Sequence, residues 1–402
     1  MQKQQQLSFF ENDRTTQSEA IAITTEYLKD YFTRYNYVAI AYSGGKDSSA
    51  TVSLILHLIE TKQVPRPRSL TVIYADTRLE LPPLHEAAMA MLREVERRGF
   101  NTKIAIAPIA KRFLPYILGR GVTPPNNSTF RWCTEKIKVN PMDEALAEIR
   151  NAMPEGDRLL MITGVRIGES AVRDRRILTS CSINGAECGQ GWFQNGTYDR
   201  TDKLAPILHW RVCQVWEWLI AGELEHGFPT YAVAEVYGGD EAQELNARTG
   251  CIGCPLTKKD TALDALVSQD KWSYLAPLKK LKPIYEEMRL FENRLQKNGE
   301  ERKKDGTLVA NPNRRGPLTL EARSRFLDRI LAIQSEINER AIELNSPQVF
   351  LIDAEEEEFI REAISNKLFP NKWSGNEPNA SELLPHVYQD GSVQLLLFQQ
   401  KH

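Results

Sequence analysis

The chain has 402 residues, 42% hydrophobic and 26% charged, with a formal net charge of −2, which is the composition of an ordinary soluble protein with room for two or three domains. That balance excludes a globally basic nucleic-acid binder, so any such surface must be local. No apolar run reaches the roughly eighteen residues of a membrane span, and the polar start Met1-Gln2-Lys3-Gln4-Gln5-Gln6 lacks a signal-peptide core, which argues for the cytoplasm; there six cysteines suggest metal binding or catalysis before disulfides.

Ser18 to Tyr35 carries an approximate apolar stripe and is predicted helical. The run Val38 to Ala41 reads as a buried strand, followed by Ser43-Gly44-Gly45-Lys46-Asp47-Ser48-Ser49 and by the apolar-periodic segment Ala50 to Ile59. A strand that ends in a glycine-rich turn and enters a helix leaves several backbone N–H groups aimed at one spot, a socket for phosphate. Gly44 and Gly45 let the backbone approach the oxygens, Lys46 adds a point charge, and Ser43 and Ser48 add hydroxyls. Asp47 does not suit a plain anion cradle; a carboxylate there would hold a Mg²⁺ bridging the phosphates. The Walker A spacing is absent. Ser-Gly-Gly-Lys-Asp-Ser instead resembles the pyrophosphate (PP) loop of the ATP pyrophosphatase superfamily, whose members split ATP between its α- and β-phosphates.

Lys62 to Arg68, with Pro65 and Pro67, links to a second strand, Leu70 to Tyr74, which runs into Ala75-Asp76-Thr77. Leu84 to Arg98 is predicted to be a helix and Thr102 to Ile106 a third strand. This alternation implies an α/β fold with a parallel sheet, whose ligands bind beyond the carboxyl ends of the strands. Arg131 to Pro141 reads as an irregular working loop. A further short strand, Leu159 to Thr163, ends in Gly164-Val165-Arg166-Ile167-Gly168-Glu169-Ser170, where an arginine can clamp phosphate in a bidentate way.

These landmarks, with Pro206-Ile207-Leu208-His209-Trp210 and Val215-Trp216-Glu217-Trp218-Leu219, occur in an order that resembles the phosphoadenosine phosphosulfate (PAPS) reductase family over about residues 36–260. The cysteine pattern is more similar to the DNA phosphorothioation sulfurtransferases, DndC-like and SspD-like, than to the reductases. The resemblance implies an adenine nucleotide alpha hydrolase-like domain, with Asp76 near the nucleotide and Arg166 near its phosphates.

Cys251-Ile252-Gly253-Cys254 is a Cys-x-x-Cys in a glycine-containing turn that can place two thiolates on one metal or cluster. Cys133 is the third candidate, because the matching loop of cluster-bearing adenylylsulfate reductases carries a Cys-Cys pair; here Trp132 replaces one member. Cys188 is the fourth candidate, with Cys181 as a relay thiol or as the ligand itself. Thiolate ligation alone leaves zinc, a cluster and metal-free thiols open; the resemblance implies [4Fe–4S]. Cys213, in the predicted helix His209 to Ile220, reads as a packed residue. The reductases that the chain resembles carry a catalytic cysteine near the C-terminus, and this chain has none after Cys254, which argues against sulfonucleotide reduction.

The division expected is a nucleotide-binding domain over residues 1–256 and a helix-rich, locally basic region over 257–402. Between Lys279 and Arg329 stand fourteen Lys or Arg against eight Asp or Glu, a stripe able to neutralise nucleic-acid phosphates. Asp305 to Gly316 reads as hairpin-like, Glu355 to Glu358 as a solvent-facing acidic run, and Val393 to Phe398 as a last strand. The resemblance implies ATP-dependent adenylation of a DNA backbone phosphate with pyrophosphate release. Its partners would be DNA, a cysteine desulfurase and other DNA-modification proteins, with a homo-oligomer also possible. A tRNA thiolase, a sulfonucleotide reductase and a nucleotide sensor without turnover are the alternatives.

Overall fold

Short apolar runs flanked by turn formers make most of the central strands. In the computed structural model, which describes residues 15–126, 130–168, 192–196, 199–237, 251–382 and 384–394, the chain forms two compact units. The first comprises Met1–Asp76, Glu80–Ile106 and Val139–Thr249; the second comprises Thr77–Leu79, Ala107–Lys138 and Gly250–His402.

In the first unit, helix α1 (Gln17–Arg34) leads into β1 (Tyr37–Tyr42), α2 (Lys46–Glu60), β2 (Ser69–Asp76), α3 (Pro82–Arg97), β3 (Asn101–Ile106), α4 (Asn140–Ala152) and β4 (Leu159–Ile162). Strands β5 (Trp192–Gln194) and β6 (Thr201–Ala205) and helices α5 (Val212–His226) and α6 (Tyr231–Val236) follow. The six strands lie in the order β3-β2-β1-β4-β6-β5, all pairs parallel except β5 with β6. The fold is therefore α/β with a mostly parallel sheet. Chain order runs outward from β1 to β3 on one side, while on the other β6 pairs with β4 and β5 is the antiparallel edge strand. The reversal between β1 and β4 is a topological switch point, where such sheets open a crevice for ligands.

Alternating residues cover both faces, as strands buried on two sides require. Ala39, Ile73, Ala105 and Leu159 pack against Ala145, Leu146 and Met153 at α4. Helices α2 and α3 pack on strands β1, β2 and β3. Helix α5 lies along α2, where the Trp218 indole donates to the Ser53 hydroxyl at 2.8 Å. The chain from Thr24 to Trp210 is tied by a short relay: the Trp210 Nε1–H donates to Thr24 Oγ1 at 3.0 Å, and that hydroxyl donates to the Pro206 carbonyl at 3.1 Å.

The second unit holds α7 (Thr261–Val267), a 3₁₀ stretch (Asp270–Lys280), α8 (Leu281–Glu287), an antiparallel pair β7 (Arg294–Gln296) and β8 (Arg315–Leu318), α9 (Leu320–Glu343) and α10 (Ala354–Ser365). A two-stranded ribbon, β9 (His386–Val387) with β10 (Val393–Gln394), closes the described chain. The hairpin expected near Asp305 to Gly316 is present and longer, with Arg302 bridged to Leu308. Arg323 is fully buried and donates to the carbonyls of Leu118, Gly119 and Leu368, tying α9 to the end of a π-helical turn at Pro115–Gly119.

Two readings need correction. The stretch Arg131 to Pro141 is not irregular throughout: it holds the helical turn Trp132–Thr134 and a π-helical turn at Glu135–Val139, and its last residues open α4, with Pro141 in the first turn, where proline is tolerated. The acidic run is not wholly solvent-facing: Glu356 is 1% exposed. It occupies the third position of a capping box with Asp353 and accepts from Arg112 at 3.0 Å, because a carboxylate at a helix start complements the dipole. Among the described residues no helix is long and apolar enough to cross a membrane.

Candidate functional site

The turn between β1 and α2 is shaped by two backbone requirements. Gly44 has φ +73°, and a Cβ there would stand 3.2 Å from the Ala88 Cβ. A side chain is therefore excluded both by conformation and by α3 beneath it. Helix α2 begins at Lys46 with Gly45 as its N-cap and no side-chain cap. Lys46, Asp47 and Ser48 thus lie in its first turn, not in the loop before it. The Ser49 N–H bonds the Gly45 carbonyl at 2.9 Å; the N–H groups of Lys46, Asp47 and Ser48 precede that bond and are donors the helix cannot satisfy for itself. Ser48 Oγ closes the turn by donating to the Gly45 carbonyl at 2.9 Å and accepting from the Ser43 N–H at 3.2 Å. Ser43 Oγ lies 3.0 Å from it, at the exposed edge of the turn.

The carboxyl end of β4 meets this turn from the other side of the switch point. Arg166, 5% exposed, donates through Nε to Asp47 Oδ1 at 2.5 Å and through Nη1 to the Trp210 carbonyl at 3.3 Å. Lys46 Nζ lies 3.0 Å from Asp47 Oδ2. Burial opposes ionisation of Asp47, yet Arg166 and Lys46 outweigh it and hold the carboxyl below its usual range. The expected phosphate contacts Lys46 and Arg166 are thus brought together, with Asp47 as the carboxylate that balances them. Both Asp47 oxygens are engaged by cations, so a Mg²⁺ here would have to displace one of them; the residues as placed do not offer a ready metal ligand. Asp76 ends β2 as a buried residue, at the carboxyl edge of the same sheet.

Gly164 sets how closely β4 approaches. A Cβ on it would lie 2.9 Å from the Asp47 carbonyl oxygen and 3.0 Å from Ser48 Cα. Gly164→Ala is expected to push the first turn of α2 outward, costing about 1–3 kcal/mol as an overpacked contact and weakening nucleotide binding. Chemical denaturation and equilibrium titration with ATP check the two effects. Tyr237, at the end of α6, was not foreseen as part of this neighbourhood: Lys46 Nζ lies 5.9 Å from its ring centroid, and its hydroxyl would be 3.8 Å from a Cβ on Gly45. A single tyrosine about two hundred residues downstream carries no pattern that could have marked it.

The thiols lie in the second unit. Cys133 sits in a single helical turn, Trp132–Thr134. Cys251 and Cys254 span a tight turn closed by the Cys254 N–H to the Cys251 carbonyl at 3.1 Å, with Gly253 N–H donating to Asp260 Oδ2 at 3.2 Å. None of these cysteines forms a disulfide. Burial, and then the nearby Cys254, pushes the Cys133 thiol up. The Tyr285 hydroxyl is buried and also feels Cys251 and Cys254. All three thiols therefore gather around one region. Among the described residues, however, no group of three or more His, Cys, Asp or Glu is arranged to hold a metal ion. Cys188 and Cys181 fall outside the described residues, so the donor set seen does not by itself complete a cluster.

Trp132, standing where a second cysteine was expected, is a packing element. It is buried, stacks on Phe113 with centroids 5.5 Å apart, meets Tyr116 at 4.7 Å, and donates from Nε1 to the Thr123 carbonyl at 3.1 Å. Trp132→Cys, which would recreate the paired pattern, is expected to cost about 3–5 kcal/mol through the cavity it leaves. Urea unfolding of the variant checks this.

Residues 37–227 match the family described as phosphoadenosine phosphosulfate reductase domain. The chain is 25% identical over 239 residues to an uncharacterized protein of Methanocaldococcus jannaschii, covering 60% of this chain and 46% of the relative. It thus spans less than half the length of that relative. Among solved structures, a PAPS reductase from Candida auris in complex with phosphate is similar at 14% identity and TM-score 0.34, covering 59% of this chain and 96% of that one. The U34-tRNA thiolase NcsA of Methanococcus maripaludis, with its [4Fe–4S] cluster, is similar at 16% identity and TM-score 0.31, covering 67% and 76%.

Proposed function

We propose, from the premise that residues 37–227 match a phosphoadenosine phosphosulfate reductase domain, that this chain is an enzyme acting on nucleotides, an ATP pyrophosphatase of the sulfurtransferase type. Its acceptor in this reading is a DNA backbone phosphate, destined for phosphorothioate modification. The observation that carries the reading is the convergence of the three N–H groups at the start of α2, which the helix cannot satisfy for itself, with Lys46 and Arg166 at the sheet's switch point. Such a constellation holds the β- and γ-phosphates of ATP and leaves the α-phosphorus open to attack.

A non-bridging oxygen of the acceptor phosphate attacks the α-phosphorus, forming an adenylate as the bond to the β-phosphate oxygen breaks. Charge grows on the departing pyrophosphate, where the helix start and Lys46 lie, and their fixed donors stabilise it without reorganising. As phosphate enters, Lys46 and Arg166 trade part of their contact with Asp47 for contact with oxygen, and Asp47 keeps both side chains placed in the empty state. Hydrosulfide, released from a cysteine-desulfurase persulfide by a dithiol reductant that is oxidised to its disulfide, then attacks the acceptor phosphorus; the P–O bond to AMP breaks, AMP leaves with the electron pair, and a phosphorothioate remains. Cys133, Cys251 and Cys254, with Cys188, are the candidates for a [4Fe–4S] site in this scheme, and an anaerobic iron and sulfide assay tests them. No step above depends on that group or on Mg²⁺.

The experiment that tests the acceptor is mass spectrometry of nuclease-digested DNA from cells with and without the gene. Phosphorothioate-linked dinucleotides that appear only with the gene support the reading. Their absence, together with thiolated bases in tRNA, would transfer the same activation chemistry to a tRNA acceptor. Sulfite release from PAPS or adenylylsulfate would make the chain a reductase.

A further inference from the structure

The second unit carries a long β-arm whose positive charge is balanced in the middle and unbalanced at both ends. Beyond the β7–β8 pair the ladder continues through Lys297 N–H to Arg314 O (3.0 Å), Gly299 N–H to Pro312 O (3.2 Å), Val309 N–H to Glu301 O (3.2 Å) and Lys303 N–H to Thr307 O (2.7 Å). At its middle, Arg314 pairs with Glu301 at 2.7 Å and Lys297 with Glu377 at 2.7 Å. Both cations also flank the Trp373 ring. At the tip, Arg302, Lys303 and Lys304 are exposed, and no ion pair joins them to any described carboxylate.

The base of the arm is more unusual. Arg294 and Arg315 stand on the paired strands β7 and β8, Arg289 is near enough for its charge to act on Arg294, and no ion pair joins any of the three to a described carboxylate. Arg294 is half-buried and donates from Nε to the Gly316 carbonyl at 3.0 Å. Arg289, also half-buried, donates to the Pro125 carbonyl, while its Nε is buried without a hydrogen-bond partner among the described residues. Arg315 is exposed and lies over the Phe291 ring with its guanidinium carbon 3.5 Å from the centroid. Phe291 is itself 47% exposed, beside the equally exposed Leu290. Nearby carboxylates do not neutralise the group: Glu287 pairs with Arg329 at 2.7 Å, and Glu286 acts on Arg289 only at longer range. Burial first, and then the charges of Arg315 and Arg289, bring Arg294 down to about 10.

Three such guanidiniums are stabilised by an anion with forked oxygen geometry, which is the geometry of phosphate. The arm's tip lies roughly 20 Å from its base, at about 3.3 Å per residue of strand, so cations at both ends exceed the reach of one mononucleotide. The exposed Phe291 adds an aromatic face of the kind on which bases or sugars rest. We propose that Arg289, Arg294 and Arg315 at the base of this arm, with Arg302, Lys303 and Lys304 at its tip, grip the phosphodiester backbone of a polynucleotide. This deepens the reading above by naming where the acceptor's backbone is held, and it rests on that reading only for the choice of DNA.

The test is fluorescence anisotropy of a labelled DNA duplex of about two helical turns with the full chain, titrated at several salt concentrations. Arg315→Glu is expected to weaken binding at least tenfold, and the combined Arg302→Glu, Lys304→Glu variant likewise. Each is expected to flatten the dependence of log K on log salt by about one per lost phosphate contact. Arg294 is left in place because it supports Gly316, and circular dichroism confirms that the variants are folded. Lys372→Glu, which removes an exposed cation 3.9 Å from Glu301, is expected to bind as wild type does. A folded Arg315→Glu protein with wild-type affinity and salt slope would overturn the proposal. So would inorganic phosphate that abolishes duplex binding at matched ionic strength, since that marks a small-anion site. Pyrophosphate release at one background rate in wild type and Lys46→Ala would instead overturn the adenylation reading alone, so the two failures are distinguishable.

Discussion

Replacing Lys46 with alanine is expected to lower pyrophosphate release from ATP about 10²- to 10³-fold, the scale seen when one preorganised stabiliser of developing charge is lost. The side chain emerges from the first turn of α2, where the backbone donors of Lys46, Asp47 and Ser48 already point at the same region. Removing it leaves those donors and Arg166 in place. Ground-state affinity for ATP should therefore weaken less than the rate does. The fold should survive, because Asp47 keeps its 2.5 Å bond to Arg166. A coupled pyrophosphate assay and an ATP titration on the same preparation separate the two effects. If wild type and variant release pyrophosphate at one background rate, the chain senses nucleotide without turning it over, and the adenylation scheme is lost.

The parts of this arrangement legible in the sequence are those carried by local pattern. Val38 to Ala41 and Leu70 to Tyr74 are apolar runs too short for helices, and each ends in residues suited to a turn, so the strands and the socket at the end of β1 could be placed. Arg166 could be placed too, because it follows a similar run. What escaped detection depends on distant contacts. Strand β6 reads Thr201-Asp202-Lys203-Leu204-Ala205, which has no apolar run. It exists as a strand because it pairs with β4 and because its buried Asp202 is held by Arg158 at 2.6 Å and by the Tyr35 hydroxyl at 2.8 Å. Glu356 looks like one member of a solvated acidic run until Arg112, more than two hundred residues earlier, is seen to bind it. The thiols illustrate the same limit. The Cys-x-x-Cys turn was visible, whereas the packing duty of Trp132 depends on Phe113 and Tyr116, whose proximity no spacing rule encodes.

The Arg166–Asp47 pair sets the larger stability effect. Arg166→Ala removes a buried guanidinium and leaves a buried carboxylate with Lys46 as its remaining cation. Breaking a buried pair from one side typically costs about 3–5 kcal/mol, because the stranded charge keeps its desolvation penalty. The pH dependence follows from the direction of the shift. In the native protein the Asp47 carboxyl is held below its ordinary value of 3.8, so its contribution to stability is fully present above that value and is lost as pH falls through the depressed one. In Arg166→Ala the cost of burying the charge loses its main opponent, and the Asp47 carboxyl moves upward. The acid limb of the stability curve should then lose amplitude and level off at higher pH, while the neutral plateau drops. Urea unfolding at a series of pH values reads both changes. Arg166→Lys restores a charge but not the fork, and is expected to recover only part of the plateau. An Arg166→Ala protein with an unchanged acid limb would mean that Asp47 is not ionised against Arg166. The electrostatic balance assigned to the empty site would then be wrong, even if nucleotide still bound there.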